Sequence, residues 1–309
     1  MPLNASTAPA GTAVHVRGTY RSIAHHGEIL QGVFEVGGRL RRGLITLPCP
    51  LYSSQAVFEP STTTGEVTVR EPWRTKAGRA AELALCTLGG PYTGGVLRVT
   101  SDIPLGRGFG SSTADVLAAI GAVFRAAGQD PGPAQSAALA VAAETASDAL
   151  MYPHRAVLFA HRQGESLEDL GGGLMRLGVL GFGTSRDGAG VDTLELPPAR
   201  YTVWEIEAFR PLLGMARRAV RAGDVALLGR VATASARLNQ RHLPVPGLDE
   251  LLRVAEEVGA AGLQVAHSGD VAGLLFDPCR PDAEARTDKA RTRLAALGIE
   301  ETWHFTIDG

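Results

Sequence analysis

Polar and apolar positions partly alternate along Gly95 to Ile103 (GVLRVTSDI) and again over Glu66 to Val69. A period of two puts successive side chains on opposite faces and predicts strands with one covered side. Ala13 to Tyr20 and Gly43 to Phe58 are rich in β-formers and are predicted as strands as well. The period changes in Lys76 to Leu88 (KAGRAAELALCTL) and Ser112 to Ala127 (STADVLAAIGAVFRAA), where apolar residues recur at spacings of three and four, as in a helix with a buried face. Pro133 to Leu150 is Ala-rich and carries no charge before Glu144, which predicts a helix covered on several sides. If both are helical, Glu144 and Asp148 share a face one turn apart and repel mildly in the absence of a cation. Interleaved strands and helices predict an α+β fold.

Beyond this point Ala156 to Ala160 and Leu174 to Val179 are short apolar runs broken by Gly171, Gly172 and Gly173. A boundary is placed there, dividing the chain into 12–172 and 173–309. Arg210 to Ala222, Asp224 to Leu238 and Leu248 to Gly259 are predicted helices, and Gly262 to Ala266 with Val271 to Phe276 a strand pair bracketing His267, Ser268, Gly269 and Asp270. Met1 to Gly11, small and polar, is predicted as a frayed tail.

Composition narrows the function. The 309 residues hold 30 basic and 32 acidic side chains, a net charge of −2, too balanced for electrostatic attachment to nucleic acid or an anionic membrane. A small-molecule partner is expected. With no basic leader before an apolar run and no uninterrupted apolar stretch of spanning length, the cytoplasm is the expected location. Cys49, Cys86 and Cys279 form no CxxC pair and are expected to be reduced, mostly packed thiols, with no structural metal. The groups Arg39, Arg41, Arg42 and Arg217, Arg218, Arg221 lack interleaved aromatics and are expected to be solvated faces.

The most informative stretch is Ile103 to Asp115, IPLGRGFGSSTAD, where Gly106, Gly108 and Gly110 follow a predicted strand and lead into a predicted helix. Backbone N–H groups in such a loop can face a phosphate without side-chain interference, and the helix N-terminus adds unpaired donors and a positive dipole end. Ser112 and Asp115 also fit a capping box. The loop is not a P-loop, because the only lysines, Lys76 and Lys289, are elsewhere, and the spacing is not that of a dinucleotide fold. His154, His161 and Asp148 do not add up to a hydrolase triad, since no nucleophile elbow accompanies them.

PLGRGFGSSTAD resembles the second motif of the GHMP small-molecule kinases: a proline, then glycine, a large apolar residue, glycine or alanine, and two serines. GEILQG with TLPCPLYSS, ETASDALMYPHRAVLFAHRQG, ASARLNQRHLPVPGLDELL and VAHSGDVAGLLFD are similar to the L-threonine kinase branch, so the resemblance runs from about Tyr20 to Asp277. It departs at the first motif, where relatives carry Pro-Gly-Ser-Cys-Gly-Glu and this chain has Ile23, Ala24, His25, His26, Gly27, Glu28.

The resemblance implies a two-domain GHMP kinase fold, with an N-terminal α+β domain like ribosomal protein S5 and a C-terminal ferredoxin-like α/β domain. It implies ATP held by Pro104, Gly106, Arg107, Gly108, Phe109, Gly110, Ser111, Ser112 and Thr113, and Mg²⁺ held by Ser112 and Glu144. Asp148 would face the acceptor hydroxyl as base or orienting group. His25, His26 and Glu28 lie on the acceptor side, Arg155 and Arg162 are candidates for a substrate carboxylate, and Ser268 and Gly269 would close over the reacting phosphate. The expected acceptor is L-threonine or a related hydroxy amino acid. An amino sugar or a sugar phosphate is the alternative, and a catalytically silent nucleotide-binding sensor stands further off; the sequence leaves room for a homodimer.

Overall fold

The computed structural model describes residues 16–185 and 199–308. The tail expected at Met1 to Gly11 and the start of the strand expected from Ala13 lie outside the described residues. In chain order the elements are β1 (Gly18–Val36), β2 (Arg39–Ser61), β3 (Val67–Val69), α1 (Thr75–Leu88), β4 (Gly94–Ser101), α2 (Ser111–Ala126) and α3 (Gly132–Glu144). A short 3-10 turn (Ala149–Met151) leads to β5 (Val157–Ala160), β6 (Glu165–Asp169), β7 (Leu177–Gly183), α4 (Val203–Ala222), α5 (Val225–Asn239), α6 (Leu248–Val258), β8 (Gly262–Val265), β9 (Val271–Phe276), α7 (Ala283–Ala296) and β10 (Thr302–Ile307). This is an α+β architecture.

The strands form one sheet in the order β10-β7-β9-β8-β1-β2-β4-β3, with the β5–β6 hairpin joined to β2 at Leu44 and Phe159. β1 and β2 make a long antiparallel hairpin from Gly18 opposite Phe58 to Val36 opposite Arg39. β1 joins the two halves of the sheet through the Glu28–Val265 pair. That junction coincides with register shifts between Ile23 and Ala24 and across His25, Glu28 and Leu30, so the regular two-residue alternation is broken where the first motif lies.

The C-terminal strands β8 and β9 are covered on both sides, whereas β4 keeps an exposed face. Along β9 Val271 and Leu275 enter one apolar core, shared with α1–α5, while Ala272, Leu274 and Phe276 enter a second, shared with α6 and α7. Nearly the whole of α2 is buried, from Thr113 to Phe124, as its apolar composition requires. Its one acidic residue, Asp115, is paired with Arg74 and accepts from Ser54 Oγ at 2.6 Å.

Three expectations are corrected. The helix expected through Leu150 stops at Glu144, because Thr145 adopts φ 74° and turns the chain, after which Ser147 N–H is held by His161 C=O at 2.9 Å. Helix α2 begins on Gly110 without a side-chain cap, so the capping box expected at Ser112 is absent; Ser112 and Asp115 are engaged elsewhere. A capping box does form at Thr202 and Glu205, opening α4. Of the cysteines only Cys49 is packed; Cys86 and Cys279 are exposed on α1 and after β9. No helix among the described residues is long and apolar enough to cross a membrane.

Candidate active site

The register shifts in β1 assemble the first part of the site. Gly27 takes φ 68°, a left-handed conformation that favours glycine, and the extra residue brings His25 and Glu28 to the same side of the strand. Their ligand atoms and that of Asp148 lie within 4.8 Å of one another. His26 faces the other way. Its Nδ1 meets Gln264 Oε1 at 2.9 Å, its Nε2 accepts from the Trp303 indole N–H at 3.0 Å, and it packs against Phe109, Trp303 and Phe305. Burial pushes this ring down to about 4, so it is a neutral core histidine.

The second part is the start of α2. Its first backbone bond runs from Ala114 N–H to Gly110 C=O, leaving the N–H groups of Ser111, Ser112 and Thr113 ahead of the helical ladder. Ser112 Oγ donates to Glu144 Oε2 at 2.6 Å, and Thr113 Oγ1 donates to Glu144 Oε1 at 2.9 Å. Thr113 Oγ1 also lies 3.4 Å from Asp148 Oδ2 and accepts from the Asp148 N–H at 3.4 Å. Two carboxylates thus converge on the first turn of one helix, although Glu144 ends α3 and Asp148 lies beyond the Thr145 turn.

Burial raises Glu144 to about 7, and the neighbouring Asp148 adds to this against the hydroxyl hydrogen bonds. Burial also opposes the charge of Asp148, but the adjacent His25 with its hydrogen bond, and His267 beyond it, prevail and hold this carboxyl below the usual range. His25 Nε2 is 2.9 Å from Asp148 Oδ2. His267 closes the far side: its backbone N–H donates to Glu28 Oε2 at 2.8 Å, and its ring Nδ1 lies 2.7 Å from Glu28 Oε1 without the alignment of a hydrogen bond. Burial works against charge on His267, yet Glu28 outweighs it and carries the ring up to about 9. His161 stands 6.0 Å from His267, ring to ring, with a buried Nδ1 that has no hydrogen-bond partner among the described residues; burial pushes it down to about 4.

The sequence-predicted residues divide accordingly. Gly106, Gly108, Gly110, Ser111, Ser112, Thr113, Glu144, Asp148, His25 and Glu28 come together around the start of α2. The loop carrying Ser268 and Gly269 packs against the glycine loop, where Asp270 N–H donates to Arg107 C=O at 2.9 Å. Arg162 is exposed nearby, its charge felt by His161 and His267.

Other side chains are not brought there. The Arg107 guanidinium is committed to Asp270 at 3.2 Å and Glu301 at 3.1 Å and lies over Trp303, because the sheet brings β10 beside the loop. The Phe109 side chain is buried among Tyr52, His26 and Trp303, so only its backbone faces the loop. Pro104 is half-buried at the loop's entry. Arg155 is exposed and paired with Asp169. Sequence reasoning weighed His161 only as a hydrolase candidate and named His267 only as part of the loop between two strands; the signal for His267 was its place directly before Ser268 and Gly269.

A helix N-terminus opening from a glycine loop, with two buried carboxylates beside it, is an arrangement of backbone donors suited to an anion. Residues 75–151 match the GHMP kinases N terminal domain and residues 216–297 match the GHMP kinases C terminal, and the chain belongs to the GHMP kinase family. It is 29% identical over 213 residues to the L-threonine kinase of Salmonella typhimurium, covering 66% of each, so it matches about two thirds of that protein's length. It is 28% identical over 230 residues to the homoserine kinase of Moorella thermoacetica, covering 66% of this chain and 70% of that one. Among solved structures, homoserine kinase from Cytophaga hutchinsonii superposes with a TM-score of 0.68 at 16% identity over 96% of both chains. Mevalonate kinase from Staphylococcus aureus does so at 0.61 and 14% identity over 95% of this chain and 99% of that one. These structures share the fold.

Proposed function

We propose that this chain is an ATP-dependent small-molecule kinase that phosphorylates a hydroxyl of L-threonine or a related hydroxy amino acid. The observation that carries the reading is the convergence of Ser112, Thr113, Glu144 and Asp148 on the unpaired N–H groups of α2. Segment 12–172 supplies this machinery, and segment 173–309 lays the Ser268–Gly269 loop over it.

Backbone donors of Gly106 to Thr113 and the positive end of α2 hold the nucleotide's phosphates, which is why no lysine is needed. Glu144 is raised by burial beside a second carboxylate and touches the Ser112 hydroxyl, an arrangement of hard oxygen donors that a divalent cation completes. Ser112 and Glu144 would hold Mg²⁺, whose charge neutralises the phosphate oxygens during transfer. Asp148 stays ionised and accepts the hydrogen bond of the acceptor hydroxyl. Its carboxylate takes the proton as that oxygen bonds to the γ-phosphorus and the bond to the β,γ-bridging oxygen breaks, releasing ADP. Orientation matters more here than base strength, because the transition state is loose and the proton leaves late.

The acceptor side presents both signs of charge: the Glu28 carboxylate with its unaligned Oε1, and the His267 and Arg162 pair of positive groups. Such a lining suits a zwitterion, in agreement with the two amino-acid kinases at 29% and 28% identity. The test is ATP turnover with Mg²⁺ against L-threonine, L-serine, L-homoserine, amino sugars and sugar phosphates, followed by ³¹P NMR of the product, with Asp148→Ala as control. Phosphothreonine that disappears in the variant supports the reading. Phosphorylation of a sugar alone would reassign the acceptor, and tight ATP binding without product would remove the kinase assignment.

A further inference from the structure

His25 is one of the residues by which the first motif departs from its family pattern, and its ring has a defined place. Its backbone N–H donates to Phe109 C=O at 3.0 Å, and the ring lies directly on Gly110, where a Cβ would come within 2.1 Å of His25 Cδ2. The Gly27 N–H donates to His25 Nδ1 at 2.9 Å. A nitrogen that accepts carries no proton, so in its neutral form the ring bears its hydrogen on Nε2, the atom 2.9 Å from Asp148 Oδ2; burial favours that form, while Asp148 and Glu28 together raise the ring above its usual value.

Two roles compete for this geometry. His25, Glu28 and Asp148 are spaced closely enough to share a metal ion. A histidine that binds a metal through Nε2 leaves Nδ1 protonated, as a donor to a carbonyl or carboxylate. Here Nδ1 faces a donor instead, and an Nε2 that bears hydrogen has no lone pair for a metal. The alternative role is a hydrogen-bond clamp, in which Nε2–H fixes one carboxylate oxygen of Asp148 while Thr113 meets the same group from α2.

We infer that His25 is a positioning residue: Gly27 sets its tautomer, its Nε2–H holds the Asp148 carboxylate at the start of α2, and it is not a metal ligand. Because the ring also rests on Gly110, the phosphate loop and Asp148 are registered to each other through one side chain. Its consequence for turnover rests on the kinase reading above; its consequence for the ring does not.

The test has two arms. Nitrogen-15 spectra of the histidine rings in the full chain should show His25 with a bare Nδ1 and a protonated Nε2. The Nε2–H signal should move in Asp148→Ala, and it should stay in place on addition of Zn²⁺. A protonated Nδ1, or Zn²⁺ displacing the Nε2 proton, would overturn the inference. In kinetics His25→Leu and His25→Gln are compared, since both fill similar space and only glutamine keeps a donor near Nε2. Leucine should lower kcat by about 10- to 100-fold, with the KM for Mg²⁺-ATP within about threefold, and glutamine should recover most of that loss. Equal losses in the two variants would reduce His25 to packing and overturn the clamp. If the parent phosphorylates no acceptor the kinase reading falls, and the ring spectra alone decide the clamp.

Discussion

Ser112 Oγ donates to Glu144 Oε2 at 2.6 Å, joining the first turn of one helix to the last residue of another. Neither group is solvated enough to leave a full charge on Glu144 unaided, which burial shows by raising it to about 7.

Glu144→Gln keeps the shape and the hydroxyl contacts while removing the charge. Saturating Mg²⁺-ATP should raise the melting temperature of the parent well above that of the variant, and turnover should fall by at least about 100-fold. Thermal melts with and without nucleotide check this, and equal stabilisation of both proteins would remove Glu144 from the metal site.

The same carboxyl makes metal-free stability depend on pH. Glu144 titrates near 4.5 when exposed and near 7 when folded, so between those values the folded state binds more protons and stability falls as pH rises. The parent should lose stability relative to Glu144→Gln from about pH 4.5 to 7, and Mg²⁺ should reduce the difference. Urea midpoints across that range measure it; parallel curves would contradict the assigned burial.

Gly110→Ala places a methyl within 2.1 Å of the His25 ring and does so at φ 70°. It should cost about 2 kcal/mol or more alone. Combined with His25→Ala it should cost less than the sum of the single changes by about 1 kcal/mol, because the steric part is relieved. Additive effects in a double-mutant cycle would show that ring and loop do not touch.

His26→Ala should destabilise the protein by about 3 kcal/mol, as for a buried aromatic, since the ring packs on Phe109, Trp303 and Phe305. Below its melting point the variant should keep the parent's acceptor KM within about threefold. A selective rise in acceptor KM would return His26 to the substrate side.

Thr145 holds φ 74°, a strained value for a β-branched residue. Thr145→Gly should gain about 1 kcal/mol, relief of strain exceeding the entropy that glycine adds to the unfolded chain. Denaturant unfolding tests this, and a loss of stability would mean that the threonine side chain holds the turn.

Much of the fold was legible in local pattern. Lys76–Leu88 and Ser112–Ala127 were read within one residue of α1 and α2, because one buried face imposes a helical period on the sequence. Helix α7 and strand β10 were not read. In α7 only Thr287, Ala290 and Leu294 are buried, too thin an apolar stripe to stand out among its arginines, and β10 owes its place to pairing with β7. The end of α3 was also missed, because alanines favour helix and the bond that holds the chain after the Thr145 turn, from Ser147 N–H to His161 C=O, forms only once the chain folds back.

The sequence by itself determined the glycine loop, its serines and the family they imply, since these depend on residue type and spacing along one segment. It also marked Glu144, as a rare charge in an alanine-rich stretch, while Asp148 came from the family resemblance. Only the tertiary structure decided which histidine does what. His25 and His26, neighbours on a strand, face opposite ways, one toward Asp148 and the other into an aromatic core, and the irregularity at Gly27 brings Glu28 round to the His25 side. The pairing of Glu28 with His267 is likewise a matter of strands meeting across the sheet. A one-residue change of register exchanges the faces of a strand, and no local pattern records where that change occurs.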